Sequence, residues 1–340
     1  MTANAAASLL QHYVDNFRRL PWRAAPGDPP PDPYRVWLSE VMLQQTSVAA
    51  VTPRFERFLR RWPNVGALAA AADSDVLGEW AGLGYYARAR NLIACAREVV
   101  RLGAFPRTAD ELRRLPGVGA YTAAAIAAIA FAARAAAVDT NVRRVVARLA
   151  GLRTPAKGEI EARVLAMIPP GRAGDLTQAI MDLGATICRP KAPLCRQCPL
   201  QPHCAAFASG DPESFPAPKL KRDRPHRHGI AYWTEREGKV WLVRRPAKGM
   251  LGAMAALPGP QWDAAPVRAN AIGTVRHIFT HFSLDLHVVP RADPFGEGWW
   301  HPIEAIGEAG LPTLYRHAAE IALAAGQAPR PRLEAAPTCP

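Results

Sequence analysis

Cys188, Cys195, Cys198 and Cys204 follow one another with six, two and five residues between them. Four thiolates are soft ligands, suited to zinc or to an iron–sulfur cluster. The spacing alone does not choose between the two. Zinc sites commonly pair two C-x-x-C knuckles, and only Cys195–Cys198 forms one here. A second group is Leu115-Pro116-Gly117-Val118-Gly119, ahead of an Ala-rich run. Glycines in a tight turn let backbone N–H groups approach an anion closely, and a following helix adds the positive end of its dipole. An ordinary helix–helix turn would use the same residues. Asp139 lies 20 residues past Gly119, at the start of the next expected helix. An aspartate there ordinarily caps the helix, and the cap does not exclude chemistry. Glu40 stands in Ser39-Glu40-Val41-Met42-Leu43-Gln44-Gln45-Thr46. A glutamate on an amphipathic helix is ordinarily a solvated charge, but apolar residues and two amides are odd company for a solvated face.

These groups need elements to hold them. From about residue 5 to 187 the pattern reads as helices joined by turns marked with Pro and Gly, clearest at 34–47, 87–101, 120–131, 142–149 and 173–187. The hairpin has a short helix before it, at 109–114. The Ala-rich run 120–133 is too short to span a bilayer and reads as a buried core helix. Residues 209–228 are rich in Pro and charge, which is linker composition. Beyond them, 229–235 and 239–245 read as short strands around a Glu-Gly turn. Ile278, Thr280, Phe282, Leu284, Leu286 and Val288 alternate with His277, His281, Ser283, Asp285 and His287, which puts apolar groups on one sheet face. A last helix is expected over 312–325, then a loose Pro-rich tail.

The 340 residues suffice for two domains, and a net charge of +13 suggests a polyanionic partner, nucleic acid above all. Cys95 and Cys339 have no evident partner, so cysteine usage reads as metal binding in a reducing compartment and not as a disulfide framework. The N-terminal residues show no basic start followed by an apolar core, so no secretory signal is expected.

The cysteine spacing resembles the iron–sulfur segment of the endonuclease III and MutY family of DNA glycosylases. The same family is suggested by the hairpin followed by Val138-Asp139, by SEVMLQQT, by Ala81-Gly82-Leu83-Gly84-Tyr85-Tyr86-Ala87-Arg88, and by Pro21-Trp22-Arg23. Within that superfamily the chain is similar to the MutY-type adenine glycosylases. The likeness is strong over 8–207 and looser over 229–325.

The resemblance implies an α+β protein: an all-α helix-hairpin-helix glycosylase domain over 1–208 carrying the iron–sulfur segment 188–204, a linker over 209–228, a C-terminal Nudix-like α/β lesion-recognition domain over 229–326, and a flexible tail over 327–340. It implies one 4Fe-4S cluster on Cys188, Cys195, Cys198 and Cys204. The substrate would be double-stranded DNA with adenine opposite 8-oxoguanine or guanine. Adenine must be flipped out of the stack and protonated before it can leave. Glu40 matches the family's general acid, with a pKa raised by apolar neighbours such as Leu43. Asp139 matches the carboxylate that stabilises the oxocarbenium ion, and Tyr121 and Asn141 match residues beside the sugar and that carboxylate. Tyr121 stands where bifunctional relatives have a Schiff-base lysine, so a monofunctional enzyme is expected.

Gln45 and Tyr85 match the residues that wedge at 8-oxoguanine, and Trp22, Arg23, Leu43, Gln178 and Met181 match the lining of the base pocket. Gly117 and Gly119 would grip phosphate. Phe279, Thr280 and His281 match a Phe-Ser-His loop that touches the lesion. Four positions depart from the family pattern: Gln178 stands where glutamate is frequent, Thr140 follows the aspartate where glycine is usual, Leu251 replaces a common tryptophan, and Thr280 replaces serine. No Glu-rich REXXEE run follows residue 229, so Nudix hydrolase activity is not expected. The chain is expected to act as a monomer in a bacterial cytoplasm, on the nucleoid, with no membrane partner.

Overall fold

The computed structural model describes residues 3–80, 83–218, 224–246, 249–252, 254–265, 270–279 and 281–327. The chain divides into two compact units, Met1–Leu220 and Lys221–Pro340.

The first unit is helical: α1 Ala3–Asp15, α2 Pro33–Met42, α3 Val48–Arg61, α4 Val65–Ala70, α5 Asp73–Glu79, α6 Tyr86–Leu102, α7 Ala109–Leu112, α8 Ala120–Phe131, α9 Thr140–Leu149, α10 Lys157–Met167, α11 Ala173–Thr186 and α12 Ala205–Ala208. Local chemistry starts α2. Asp32 accepts from the Tyr34 N–H at 2.7 Å, and Pro33 sits in the first turn, where its missing N–H costs nothing. Its residues are then buried on every face from Val36 to Met42. Trp37, Leu38 and Met42 join Phe55, Phe58 and Trp80 in one core cluster, where each fully buried Phe or Leu contributes about 1.5–3 kcal/mol. The helix stops earlier than the 34–47 pattern suggests. Gln45 turns left-handed at φ 58°, and Ser47 then caps α3.

Helix α8 is buried from Thr122 to Ala130, as its composition implies. Its small side chains let α2 and α11 approach. Gly174 of α11 lies so near that an added Cβ would stand 3.0 Å from the Ala128 carbonyl. Helix α7 is shorter than the expected 109–114. Thr108 caps it, its hydroxyl accepting from the Glu111 N–H and donating to the Glu111 carboxylate at 2.8 Å. No described helix is long and apolar enough to cross a membrane.

The second unit holds β1 His226–Trp233, β2 Glu235–Arg236, β3 Lys239–Arg244, β4 Ala255–Ala256, β5 Gly273–Ile278, β6 Ser283–Pro290, β7 Gly298–Pro302 and α13 Thr313–Gln327. One sheet runs β1-β6-β5, with β1 and β6 parallel and β5 antiparallel to β6. The other runs β2-β3-β4, with β7 also on β3. The β2–β3 hairpin turns on Glu237 and Gly238, both left-handed (φ 50° and 70°), which is the type I′ geometry that matches strand twist. Leu284, Leu286 and Val288 face a core shared with Leu314, Tyr315, Ala318 and Ala322 of α13.

Two expectations change here. The alternating run is not one strand. A turn closes between Phe279 N–H and the Phe282 carbonyl at 2.9 Å, so parity breaks and Ile278 is 70% exposed. The stretch read as linker is also partly structured. Asp211 caps a short 3₁₀ turn, Arg148 donates to the Phe215 carbonyl at 3.0 Å, and the Ala217 N–H donates to the Arg153 carbonyl at 2.7 Å. Residues 211–217 thus belong to the first unit, and β1 begins at His226, not 229. A window-averaged composition hides the one aromatic, Phe215, that anchors the segment.

Candidate active site

The C-terminal end of α2, the N-termini of α8 and α9, and the middle of α11 converge on a cavity of about 200 Å³. Glu40, Tyr121, Asp139 and Asn141 all line it, as do Trp22, Arg23, Leu43, Gln178 and Met181. The residues expected for catalysis and those expected for the base pocket therefore meet in one place.

Glu40 is 8% exposed, and burial pushes its carboxyl up to about 7. The Tyr121 hydroxyl, which hydrogen-bonds to it, and the Arg23 charge pull the other way, while Asp139 adds to the rise. Tyr121 is itself raised well above its ordinary value by burial and by both carboxylates, so it stays a neutral donor. Its hydroxyl also lies 4.0 Å from the Met181 sulfur.

Asp139 is the N-cap of α9 and accepts from the Val142 N–H at 2.6 Å. Burial raises its pKa, whereas the N–H groups of Val142 and Asn141, the Arg144 charge and the Asn141 side chain lower it. The two carboxyls thus sit in different surroundings. Glu40 is almost wholly desolvated, and Asp139 is half-buried on a helix N-terminus that favours the anion. Thr140 occupies the first helical position of α9 with an exposed side chain, so the missing glycine does not disturb the cap.

Three positioning residues carried no expected role. Asp182 binds Arg23 through both guanidinium nitrogens (2.5 and 3.0 Å) and Arg18 at 3.0 Å, which fixes Arg23 in the cavity wall. Its place one turn after Gln178 on the same helix was the available signal. Arg144 donates to the Asn141 side chain at 2.8 Å, the Gly184 carbonyl at 2.7 Å and the Cys188 carbonyl at 2.8 Å. Arg88 donates to the Val41 and Met42 carbonyls at 3.0 Å, which caps α2, and to the Leu83 carbonyl at 2.8 Å. It also lies over the rings of Trp80 and Tyr85.

Gln45 and Tyr85 do not line the cavity. Both are left-handed (φ 58° and 48°) and exposed, Tyr85 at 59%. Such backbone in a non-glycine residue costs about 1–3 kcal/mol, so the fold holds two strained, outward-pointing side chains near the end of α2. Arg88 touches both turns, reaching Thr46 and Gly84 at 3.4 Å.

The glycine turn lies apart from the cavity. Gly117 is left-handed (φ 72°), and an added Cβ would come 2.6 Å from the Asn91 Cβ, so only glycine fits. Gly119 is the N-cap of α8 with open space around it. A wider cavity of about 800 Å³ shares Tyr121 and Asp139 with the small one and is lined by Arg143, Arg144, Arg148, Lys157 and Lys191.

The four cysteines follow α11. None is in a disulfide, and each is half-buried. Their thiols lie close enough to influence one another electrostatically, and burial raises Cys198 to about 11. N–H groups of Leu200, Ala206 and Phe207 point at the sulfurs of Cys198 and Cys204, which favours thiolates. Arg148, 2% exposed, holds the segment by the Arg189 and Pro190 carbonyls and touches the Cys188 sulfur at 3.5 Å. Four convergent, uncrosslinked sulfurs with N–H donors fit a four-thiolate metal centre.

In the second unit Phe279 is stacked on Trp262 at 5.6 Å and touches Phe282 and His277, while His281 is exposed. Thr280 lies outside the described residues. Leu251 is half-buried and left-handed (φ 53°), and packs on the unit's core.

Residues 38–170 match the family described as HhH-GPD superfamily base excision DNA repair protein, and residues 229–320 match a NUDIX domain. A curated adenine DNA glycosylase of Rattus norvegicus is 43% identical over 359 residues, covering 84% of this chain and 70% of that protein. One of Homo sapiens is 34% identical over 358 residues, covering 83% of this chain and 65% of that protein, just under two thirds of its length. The structure of a thermostable thymine-DNA glycosylase is similar at 27% identity and a TM-score of 0.55, covering 60% of this chain and 95% of that one. The two-part organisation and the helical site thus have a common source, and the chain belongs to the adenine DNA glycosylase family.

Proposed function

We propose that this chain is a monofunctional adenine DNA glycosylase of base-excision repair, which removes adenine mispaired with 8-oxoguanine or guanine. The observation that carries the reading is the small cavity in which a Glu40 raised to about 7 meets Tyr121 and Asp139. Its volume is below the roughly 300–1,000 Å³ of drug-sized ligand sites, which suits one flipped base. The adjoining wide cavity supplies Arg143, Lys157 and Lys191 for the phosphates of the strand that delivers it.

The chemistry follows from the two carboxyls. Protonated Glu40 gives its proton to N7 of adenine. The C1′–N9 bond then breaks, and its electron pair leaves with the base. Anionic Asp139, capped on α9, offsets the positive charge left on the sugar. Water adds at C1′ and returns a proton to the Glu40 carboxylate. Tyr121 offers a neutral hydroxyl where an amine would be needed for a Schiff base, so the strand is left intact. Gln45 and Tyr85, held outward on strained backbone, read the opposite base. Gly117 and Gly119 grip a phosphate, and Phe279, Thr280 and His281 contact the lesion.

The four cysteines hold a 4Fe-4S cluster, which would fix the 188–204 segment and supply no step of base release. The enzyme works as a monomer on double-stranded DNA, in the cytoplasm at the nucleoid. A duplex with adenine opposite 8-oxoguanine tests the reading. The purified chain should release adenine, and strand breaks should appear only after alkali. Intact adenine after prolonged incubation, or breaks without alkali, refutes it.

A further inference from the structure

We propose that the second unit carries a metal site of its own, in which His226, His228 and Asp285 bind a divalent transition ion of the zinc class. The sheet register brings them together. His226 and His228 are two apart on β1 and so share a face, and the parallel pairing sets His228 opposite Asp285 and His226 opposite Ser283. This is the face turned away from the core, since Gly229 and Ala231 of β1 and Leu284 and Leu286 of β6, on the alternate positions, are the buried ones. One ligand atom from each of the three lies within 4.8 Å of the others.

The polar contacts favour a cation there. His226 Nδ1 lies 2.8 Å from the Ser283 hydroxyl, which orients the ring and leaves Nε2 toward Asp285 Oδ2 at 3.4 Å. That is long for a charge-assisted hydrogen bond, which closes to about 2.7–2.9 Å. It fits the edge of a tetrahedron whose metal–ligand bonds are about 2.0–2.1 Å, about 3.3–3.4 Å. With the Nδ1 proton given to Ser283, the Nε2 lone pair faces an oxygen lone pair, and a cation between them removes the repulsion. His228 Nδ1 is buried without a hydrogen-bond partner among the described residues. The His228 ring is stacked on His287 at 5.9 Å and meets His226 edge-on at 4.7 Å, so its plane is already set. His287 is in turn held through Nδ1 by the Thr274 hydroxyl at 3.0 Å. Arg276 sits 3.5 Å from the other Asp285 oxygen, which leaves one oxygen for a monodentate bond.

Two imidazoles and one carboxylate make a nitrogen–oxygen set suited to zinc, with water as the fourth ligand. The set is distinct in chemistry from the four thiolates of the first unit. A bound ion would tie the first strand of this unit, β1, to the central strand β6.

The full-length protein with its cysteine site filled is dialysed against a weak chelator, then titrated with zinc. Metal content and the zinc X-ray absorption edge are measured. Wild type should take up about one zinc per chain, with a shell of nitrogen and oxygen only, at about 2.0–2.1 Å. Zinc should raise the thermal midpoint of wild type. His228→Ala and Asp285→Asn should each weaken binding at least tenfold and abolish that rise, with unchanged iron content. No uptake by wild type at micromolar free zinc overturns the proposal, as does a sulfur shell near 2.3 Å or undiminished binding in both variants. Uptake and edge are read on unsubstituted protein, so a variant that misfolds leaves the test intact.

Discussion

Glu40→Gln should make the protein more stable above neutral pH while it stops base release. The Glu40 carboxyl moves from 4.5 to about 7 on folding, because the buried stretch Val36–Met42 of α2 leaves it little water. A tenfold change in acidity corresponds to about 1.4 kcal/mol, so ionising Glu40 costs the fold about 3 kcal/mol. The folded state binds this proton more tightly than the unfolded chain. The stabilisation is therefore complete below about pH 4.5 and is lost as pH rises through 7. Glutamine keeps the volume and still accepts from the Tyr121 hydroxyl, yet it cannot ionise. Urea denaturation of both proteins from about pH 5 to 9 should give curves that diverge with pH. The variant should lead by about 3 kcal/mol at the alkaline end, or roughly 6–12 °C in thermal midpoint for a domain of this size. In single-turnover assays wild-type release should fall about tenfold per pH unit above 7, because only the acid form can protonate adenine. Parallel stability curves for the two proteins, or a wild-type rate flat to pH 8.5, would refute the reasoning.

Asp139→Asn should abolish adenine release in single-turnover assays and leave the melting point nearly unchanged, since asparagine caps a helix as well as aspartate; full activity would move the site elsewhere. Wild type should fail to crosslink to substrate under borohydride, and Tyr121→Lys should gain trapping and strand cleavage; efficient trapping of wild type defeats the monofunctional reading. Arg88→Met would leave the Val41, Met42 and Leu83 carbonyls without their donor, costing about 3 kcal/mol by denaturation, and should lower discrimination between 8-oxoguanine and guanine opposite adenine more than it lowers the rate on the better substrate. Thr280→Ala with His281→Ala should cost about tenfold in that discrimination, at about 0.5–1.5 kcal/mol per lost hydrogen bond, and leave the maximal rate intact; unchanged discrimination removes the lesion-reading role from this loop.

What could be read from the chain depended on whether a residue's role is local. The cap at Asp139, the turn at Gly117, the buried Ala-rich helix and the Glu237-Gly238 hairpin each follow from a few neighbouring residues. Long-range partners left weaker traces. Asp182 meets Arg23 from 159 positions away, and nothing in the sequence ties them beyond the helical step from Gln178. Arg88 ends the Gly-Leu-Gly-Tyr-Tyr-Ala-Arg stretch, yet its task, capping α2 from α6, appears only when the two helices are packed.

Glu40 shows how far each kind of reasoning reaches. The residues around Glu40 are odd company for a solvated charge, and the family resemblance implies a raised pKa, with apolar neighbours such as Leu43 as the expected cause. In the structure Leu43 is only half-buried, at the end of the helix. The desolvation comes from burial of α2 on every face from Val36 to Met42, which the pattern Pro33-Tyr-Arg-Val-Trp-Leu-Ser-Glu-Val-Met42 suggests only in part, because Arg35 and Glu40 could each have marked a wet side. Arg35 is exposed and reaches the Pro21 carbonyl at 2.6 Å, whereas Glu40 is sealed in. Two charges five residues apart on one helix meet opposite fates because Glu40 faces the cavity lined by α8 and α11 and Arg35 does not. A helix that needed Glu40 only for solubility would have turned it the other way; burying a carboxyl that holds only a neutral hydroxyl donor, at a cost of about 3 kcal/mol, fits a group whose proton is used.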